Sequence, residues 1–448
     1  MSTSVIPQQH YGTGRIVRMA LPLMLSFLLE QLIGMTDVAF LGRVGEVELG
    51  AAALSGVFFL VLLMLGFGYS FGLQSFMARR NGEKRFADIG RAFRAGALFL
   101  TALSVLLILV SFFLSGPFFS HVCASGDVAA ASDTYLFWRV WGLPFAFLCA
   151  AFRAFFIAVL RPAILTASSV VMVVTNCLLN WALIFGCGPI PALGIAGAAI
   201  ASSVADAVCL IFFAVYTFCK VDRLRYQLFS GSPAGWHLHR ELFALGRWLM
   251  IQEAFAFLAW LIFFLAVEHL GETPLAVSNI ARQICSTLFL FIHGFGSACG
   301  AIASNLMGEN RPDEVPGVVR RGLIVCTAAM IPLMVLIALF PAATLSVFTS
   351  LDEVIEASTA TLYVMLGSFA TAIPSMYLLF VTGGMGQTKE ASVATMAAAV
   401  LYLVYIFAIV SVTAEVAVVW TADYIYYLTA GAVLFVCWRK GSWRTKRL

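Results

Sequence analysis

Apolar and polar positions along this chain alternate in long blocks, not at the period of a strand or of a half-buried helix. Twelve stretches are apolar almost throughout: 16–41, 50–77, 90–116, 134–160, 163–187, 193–219, 242–268, 275–300, 318–341, 356–381, 390–413 and 416–438. About 20 apolar residues carry a helix across a bilayer, so each stretch predicts one membrane span, with little left over for anything but loops and a tail. The blocks also echo one another. Gly66-Phe67-Gly68 with Gly72 returns as Gly294-Phe295-Gly296 with Gly300, 228 positions later. Tyr135 and Tyr363 keep that offset, each opening a run that contains a proline, Pro144 or Pro374.

The expected architecture is an all-α polytopic membrane protein of twelve helices in two six-helix bundles, residues 1–219 and 242–448. A polar linker over 220–241, containing Ser230-Gly231-Ser232-Pro233, joins them. Six is even, so the second bundle enters the membrane in the same direction as the first. That predicts a parallel repeat about an axis along the membrane normal.

Composition narrows the class. Apolar residues make up 61% of the chain and charged residues 11%, with a mean hydropathy of +0.96; soluble domains carry about 25% charge. A soluble domain and a nucleic-acid module are both excluded, and the formal charge of +4 reflects topology. Basic residues gather at the N-terminus (Arg15, Arg18), in the even connections (Arg79 to Arg94; Arg161; Lys220, Arg223, Arg225 and Arg240; Arg311, Arg320 and Arg321; Lys389) and in the tail (Arg439, Lys440, Arg444, Lys446, Arg447). The odd connections are nearly free of them, Arg43 excepted, and several are acidic, as at Asp127, Asp133, Glu268, Glu272, Asp352, Glu353 and Glu356. The positive-inside rule then places both termini in the cytoplasm of a cell whose plasma membrane the chain crosses many times. The first run is too long and too polar inside for a cleaved signal peptide and should remain as span 1. The ten cysteines show no Cys-x-x-Cys and no zinc spacing, so they read as small packing thiols and no metal site is expected.

Glycines four apart let two helix backbones approach closely, which is the first use expected of the repeated glycine motif; flexing during transport is the other. Ionisable groups within the spans are costly, roughly 2.5–3.5 kcal/mol each on insertion scales, and so are candidates for function. Glu30 and Asp37 lie seven apart in span 1 and share a face. Asn176 and Asn180 in span 5, and Ser202 and Asp206 in span 6, are each one turn apart. Glu253 falls in the middle of span 7, and Asn279, Arg282 and Gln283 in the outer half of span 8. Carboxylates, amides and hydroxyls suit a hard cation, and a buried carboxyl suits a proton; the plainer use of each group is an interhelical hydrogen bond. Arg153 is expected to snorkel toward the cytoplasm, whereas the deeper Arg282 should meet a carboxylate or face a cavity. His293, just before the second glycine motif, reads as a hydrogen-bonded core histidine before it reads as a proton relay.

These residues carry a family resemblance. Ala20-Leu21-Pro22, Asp37-Val38-Ala39-Phe40-Leu41-Gly42 and Leu49-Gly50-Ala51-Ala52 resemble the first-span signature of the multidrug and toxic compound extrusion (MATE) family. So does Asn176-x-x-x-Asn180 followed by Ile184-Phe185-Gly186-x-Gly188-Pro189 and Leu193-Gly194-x-Ala196-Gly197-Ala198-Ala199, the most specific piece. Gly384-x-Gly386-Gln387-Thr388-Lys389 looks like the family's Arg-Gly-x-Gly-Asp-Thr-Lys element with two substitutions, and the paired Gly-Phe-Gly segments match as well. The resemblance covers nearly the whole chain.

It implies a secondary transporter of two six-helix bundles arranged as a V, which exchanges inward Na⁺ or H⁺ for outgoing amphipathic, often cationic, compounds and needs no cofactor beyond that ion. It further implies that Asp37, joined by Asn176 and Asn180, forms a cation or proton site in the first bundle. In the NorM-like branch a glutamate matched by Glu253 forms one in the second. Two departures stand out. Many members have an aspartate at the place of Asn180, and span 10 lacks the carboxylate that NorM-like proteins place there. Asp206 and Glu30 have no place in the family pattern, and either is a candidate to restore the missing charge.

The expected function is therefore a cation-coupled exporter that works as a monomer and is not an enzyme. A lipid-linked oligosaccharide flippase is the alternative within related folds; its pyrophosphate predicts a cavity rich in Arg and Lys, while here carboxylates outnumber deep cations. A membrane-embedded transferase would want a His and carboxylate pair at an interface, or a large extramembrane loop, and the chain has neither.

Overall fold

The computed structural model describes residues 11–123, 125–188, 191–232, 234–349 and 351–444. Of the positions named above, Pro189, Pro233, Lys446 and Arg447 lie outside the described residues, as does the side chain of Arg223.

Among the described residues, twelve helices long and apolar enough to span a membrane follow one another as spans 1–12: Thr13–Leu41, Glu46–Gly82, Phe86–Val122, Gly126–Ala158, Ala163–Phe185, Gly194–Lys220, Trp236–Glu268, Glu272–Gly308, Pro312–Leu339, Asp352–Gly384, Thr388–Val410 and Val416–Lys440. Among the described residues no strand occurs. Several helices outrun their apolar stretches because backbone hydrogen bonding continues past the apolar core. Span 7 thus begins at Trp236, inside the expected linker, and span 4 begins at Gly126 and is broken by a 3₁₀ turn at Val140–Gly142. The linker is pinned to the first bundle: the Arg94 guanidinium in span 3 donates to the carbonyls of Gln227, Ser230 and Ser232.

Spans 1–6 form one bundle and spans 7–12 the other, and they meet through spans 1 and 2 against spans 7 and 8. The repeat is real, but its register is 226 residues. Gly45 and Gly271 precede spans 2 and 8, Gly82 and Gly308 end them, and Lys84 and Asn310 follow in the left-handed region with φ of 59° and 57°. Two residues rotate a helix by about 200°, so glycines matched at 228 face different neighbours. Gly68 and Gly72 lie against the backbone of Met250 and Gly246 in span 7, across the bundle interface. Gly296 and Gly300 lie against Phe380 and Gly384 in span 10, within the second bundle. The structural counterpart of Gly68 is Gly294, which meets Met24 and Ala20 of span 1. Both sets serve close packing.

The bundles are tied at the face that carries Tyr11, Arg444 and most of the described Arg and Lys, here the basic face. Spans 2 and 8 cross where Gly82 and Gly308 touch: a Cβ at Gly82 would fall on the Asn305 carbonyl, and one at Gly308 on that of Arg79. Around the crossing, Asn81 Nδ2 donates to Asn305 Oδ1 (2.6 Å), Ser304 Oγ to Ser75 O (2.9 Å) and Asn305 Nδ2 to Ala158 O (3.0 Å). Tyr11, just before span 1, donates its hydroxyl to Glu309 at 2.8 Å and accepts at its carbonyl from Arg321. Burial first, and Glu309 beside it, push the Tyr11 phenol above its usual range, so it stays a donor.

Candidate functional site

Asp37 lies near the end of span 1 away from the basic face, where spans 5 and 6 close on it. Asn176 and Asn180 stand one turn apart on span 5 and so present both amides to the same point. Asn180 Nδ2 donates to Asp37 Oδ1 at 2.6 Å, Asn176 Nδ2 to the same oxygen at 3.2 Å, and Ser202 Oγ of span 6 to Asp37 Oδ2 at 3.0 Å. Asn176 Nδ2 also reaches Ser202 Oγ (3.0 Å), and Asn180 Nδ2 reaches Asn176 Oδ1 (3.1 Å). Both asparagines are fully buried. One atom is left over: Asn180 Oδ1 is buried without a hydrogen-bond partner among the described residues. The cluster thus brings together four residues singled out on the sequence, and it pairs a carboxylate with an unused carbonyl oxygen.

Asp206 and Glu30 lie deeper, each held by an arginine. Arg139, at the end of the first half of span 4, donates to Asp206 at 2.9 Å and lies over the Phe59 ring at 4.1 Å. The 3₁₀ turn that follows makes room for this pair, since a Cβ on Gly142 would meet Arg139, Ser203 and Asp206. Arg153 does not snorkel; it turns inward to Glu30, whose carboxylate also accepts from Ser169 at 3.2 Å and Ser26 at 3.3 Å. A buried charge left without a partner costs more than the stem gains by reaching for water. Both pairs line a cavity of about 310 Å³ inside the first bundle. Of Glu30, Asp37 and Asp206, only Asp37 has no ion pair among the described residues. Neither Asp206 nor Glu30 is therefore a free negative charge that would replace the one absent at Asn180.

The second bundle is built differently. Glu253 on span 7 is half-buried beside Gln252, within electrostatic reach of Tyr426 on span 12. Asn279 is exposed and donates to Leu275 O of its own helix, and among the described residues the Gln283 side chain joins none of these groups. Arg282 faces a cavity of about 370 Å³ shared with Asp423 of span 12. Among the described residues His293 makes ring contacts rather than hydrogen bonds: Phe380 at 4.1 Å, Phe27 of span 1 at 5.1 Å and Phe71 of span 2 at 6.4 Å.

Sequence reasoning passed over Arg139 and Asp423. Both lie inside apolar runs, so the rule that flags Asp37 flags them too.

The match to known proteins follows the same two halves. The MatE family model fits residues 22–182 and 249–431, most of the chain. A protein from Agrobacterium fabrum named probable multidrug resistance protein NorM is 28% identical over 62% of this chain and 60% of its own length. One of the same name from Deinococcus radiodurans is 27% identical over 94% of this chain and 92% of its own. Among solved structures, the outward-facing form of a multidrug resistance MATE family transporter superposes with a TM-score of 0.88 at 18% identity, covering 97% of each chain. A transporter from Pyrococcus furiosus does so with a TM-score of 0.86, also at 18% identity and covering 97% of each chain. With the family model matching in both six-helix bundles, the chain belongs to the multidrug and toxic compound extrusion (MatE) family.

Proposed function

We propose that the protein exports amphipathic, chiefly cationic, small molecules across the bacterial inner membrane in exchange for Na⁺ or H⁺, by alternating access. The observation that carries this reading is the Asp37 cluster, where a carboxylate without an ion pair stands among Asn176, Asn180 and Ser202. The unused Asn180 Oδ1 favours Na⁺, because a hard cation is held by oxygen atoms. Glu253 serves as a second point for a cation, facing the substrate or a second ion. The pairing of Arg139 and Arg153 with carboxylates leaves the first cavity with no surplus of positive charge, which favours cationic substrates over a pyrophosphate-bearing lipid. Relatives named as multidrug resistance proteins support the same reading.

In this reading the basic face is cytoplasmic, so the tie at Gly82 and Gly308 is a closed inner gate and the structure faces outward. Asp37 holds the outer part of span 1 to spans 5 and 6 through three hydrogen bonds. An arriving cation competes with those donors for the carboxylate oxygens and loosens span 1 from its bundle. Binding shifts the conformational balance only by its difference in affinity between the two states.

Asp37→Asn is expected to abolish dye efflux driven by a Na⁺ or H⁺ gradient in inverted vesicles, with expression unchanged. Wild-type efflux from that variant under either gradient would overturn the assignment. Imposing each gradient separately on the wild type identifies the ion.

A further inference from the structure

We infer that an anionic phospholipid binds in a cleft at the basic face of the first bundle, its phosphate among Arg15 and Arg18 of span 1 and Arg161 just before span 5. The first observation is a helix cap that recurs. Spans 2, 4, 8 and 10 are each followed, two residues on, by a residue in the left-handed region: Lys84, Leu160, Asn310 and Gly386, with φ of 59°, 60°, 57° and 85°. The next residue returns its backbone N–H to the carbonyl five positions back: Arg85 to Arg80, Arg161 to Phe156, Arg311 to Leu306 and Gln387 to Thr382. This is the bond that closes a Schellman cap. After three of the four caps, the long polar side chain meets a carboxylate three residues further on. Arg85 pairs with Asp88, Arg311 pairs with Glu314, and Gln387 turns its amide nitrogen to Glu390. Three residues after Arg161 comes Ile164. Arg161 thus keeps the cap and lacks the acid. The described residues include every Asp and Glu of the chain, and among them Arg161 has no ion pair.

The second observation is what stands beside it. Arg15, Arg18 and Arg161 line one cleft of about 740 Å³ together with Met19, Ile164 and Tyr216, and among the described residues no acid lines it. Arg15 lies 5.0 Å from the Tyr11 ring, a contact that leaves its charge uncancelled. Among the described residues neither Arg15 nor Arg18 has an ion pair. Water solvates a lone surface arginine, but three around one opening repel one another until an anion lies between them. The guanidinium fork fits phosphate oxygens two at a time.

The walls favour a lipid over a dissolved anion. Arg18, Leu21 and Leu25 follow one another at helical spacing, so they share a face of span 1, and all three are exposed. Ile211, Val215 and Phe218 make a similar exposed apolar strip on span 6, whose Tyr216 lines the cleft. Acyl chains lie along these strips while the phosphate stays at the level of the arginines, as in other basic pockets between helix ends. On the side of the gate, Arg15 and Arg161 also border a cleft of about 710 Å³ that contains Glu83 and Glu309, so a dissolved anion arriving there meets carboxylates. The second bundle repeats the cap without the site: Gln387 and Glu390 stand where the first has Arg161 and Ile164. The lipid joins the start of span 1 to the start of span 5, at the opposite end of both helices from the Asp37 cluster.

The test is native mass spectrometry of the full-length protein in detergent, titrated with phosphatidylglycerol or with phosphatidylcholine of the same acyl chains. The wild type should hold one phosphatidylglycerol about tenfold more tightly than phosphatidylcholine. Arg15→Gln, Arg18→Gln and Arg161→Gln combined should remove that preference, and the same three changed to Lys should keep most of it. Arg85→Gln, which alters an equal charge at a paired copy of the cap, should leave it unchanged. Ile164→Glu supplies the acid that the other three copies have, and should remove most of the preference by occupying Arg161. Equal affinity for the two lipids, or a preference that survives in the monodisperse triple Gln or Ile164→Glu protein, overturns the inference. Displacement of phosphatidylglycerol by glycerol phosphate at equal concentration makes the site one for a dissolved anion and overturns the lipid assignment. No gradient enters these measurements, so they stand or fall apart from the exporter reading.

Discussion

Gly82 and Gly308 set how closely the two bundles meet at the basic face, which makes Gly82→Leu a direct test of the gate. Any side chain at Gly82 falls on the Asn305 carbonyl, and neither backbone can yield without moving its helix. Parting spans 2 and 8 breaks the three hydrogen bonds around the crossing, Asn81 to Asn305, Ser304 to Ser75 and Asn305 to Ala158. At about 1 kcal/mol each the closed arrangement loses about 3 kcal/mol. With 1.4 kcal/mol per factor of ten, the population shifts about 100-fold toward an open basic face. Spin labels on cysteines at Lys220 and Asp313, one on each bundle, report this as a longer distance in pulsed dipolar spectroscopy, after Cys123, Cys177, Cys187, Cys219 and Cys437 are replaced. Efflux should fall with it, because the transporter no longer closes inward. Gly116→Leu is the control, since a Cβ there meets nothing within 4 Å. An unchanged label distance in a monodisperse Gly82→Leu protein would refute the reasoning.

Arg139→Gln leaves Asp206 buried without its partner and should cost about 3–5 kcal/mol of stability, read as a lower melting temperature in detergent; adding Asp206→Asn should recover most of it. Asn180→Leu removes both the unused oxygen and a donor to Asp37. It should weaken Na⁺ stimulation of efflux about tenfold, the worth of one hydrogen bond to a charged group at about 1.5 kcal/mol, while H⁺-driven efflux is less affected. Equal losses under both gradients would argue that Asn180 only packs.

The spans were legible because hydrocarbon demands long apolar helices whatever the partners. So was the Asp37 cluster, since Asn176 and Asn180 at one-turn spacing put two amides where a single side chain on span 1 can meet both. The pairing of charges was not legible. Nothing in the order of residues says that Arg153 turns to Glu30, 123 positions away, or that Arg139 takes Asp206; those choices depend on how spans 1, 4 and 6 lean together. The glycine echo misled by two residues for a related reason. Identical motifs suggested identical neighbours, but helix ends fix the register, and in that register the two motifs serve different interfaces.

Span 1 is where these observations converge. Within its own bundle it is held by Asp37 to spans 5 and 6, by Glu30 to Arg153 of span 4, and by the Pro22 carbonyl, which accepts from Thr166 at 2.9 Å. Against the other bundle, Met24 fills the notch at Gly294, and Phe27 meets the His293 ring. His293 in turn lines the cavity that Arg282 and Asp423 share. One helix thus runs from the Asp37 cluster to the wall of the second bundle's cavity through an unbroken series of contacts. The glycines of spans 2 and 8 let the two bundles fit closely; span 1, through Asp37, Glu30, Met24 and Phe27, both ties its own bundle together and joins it to the other.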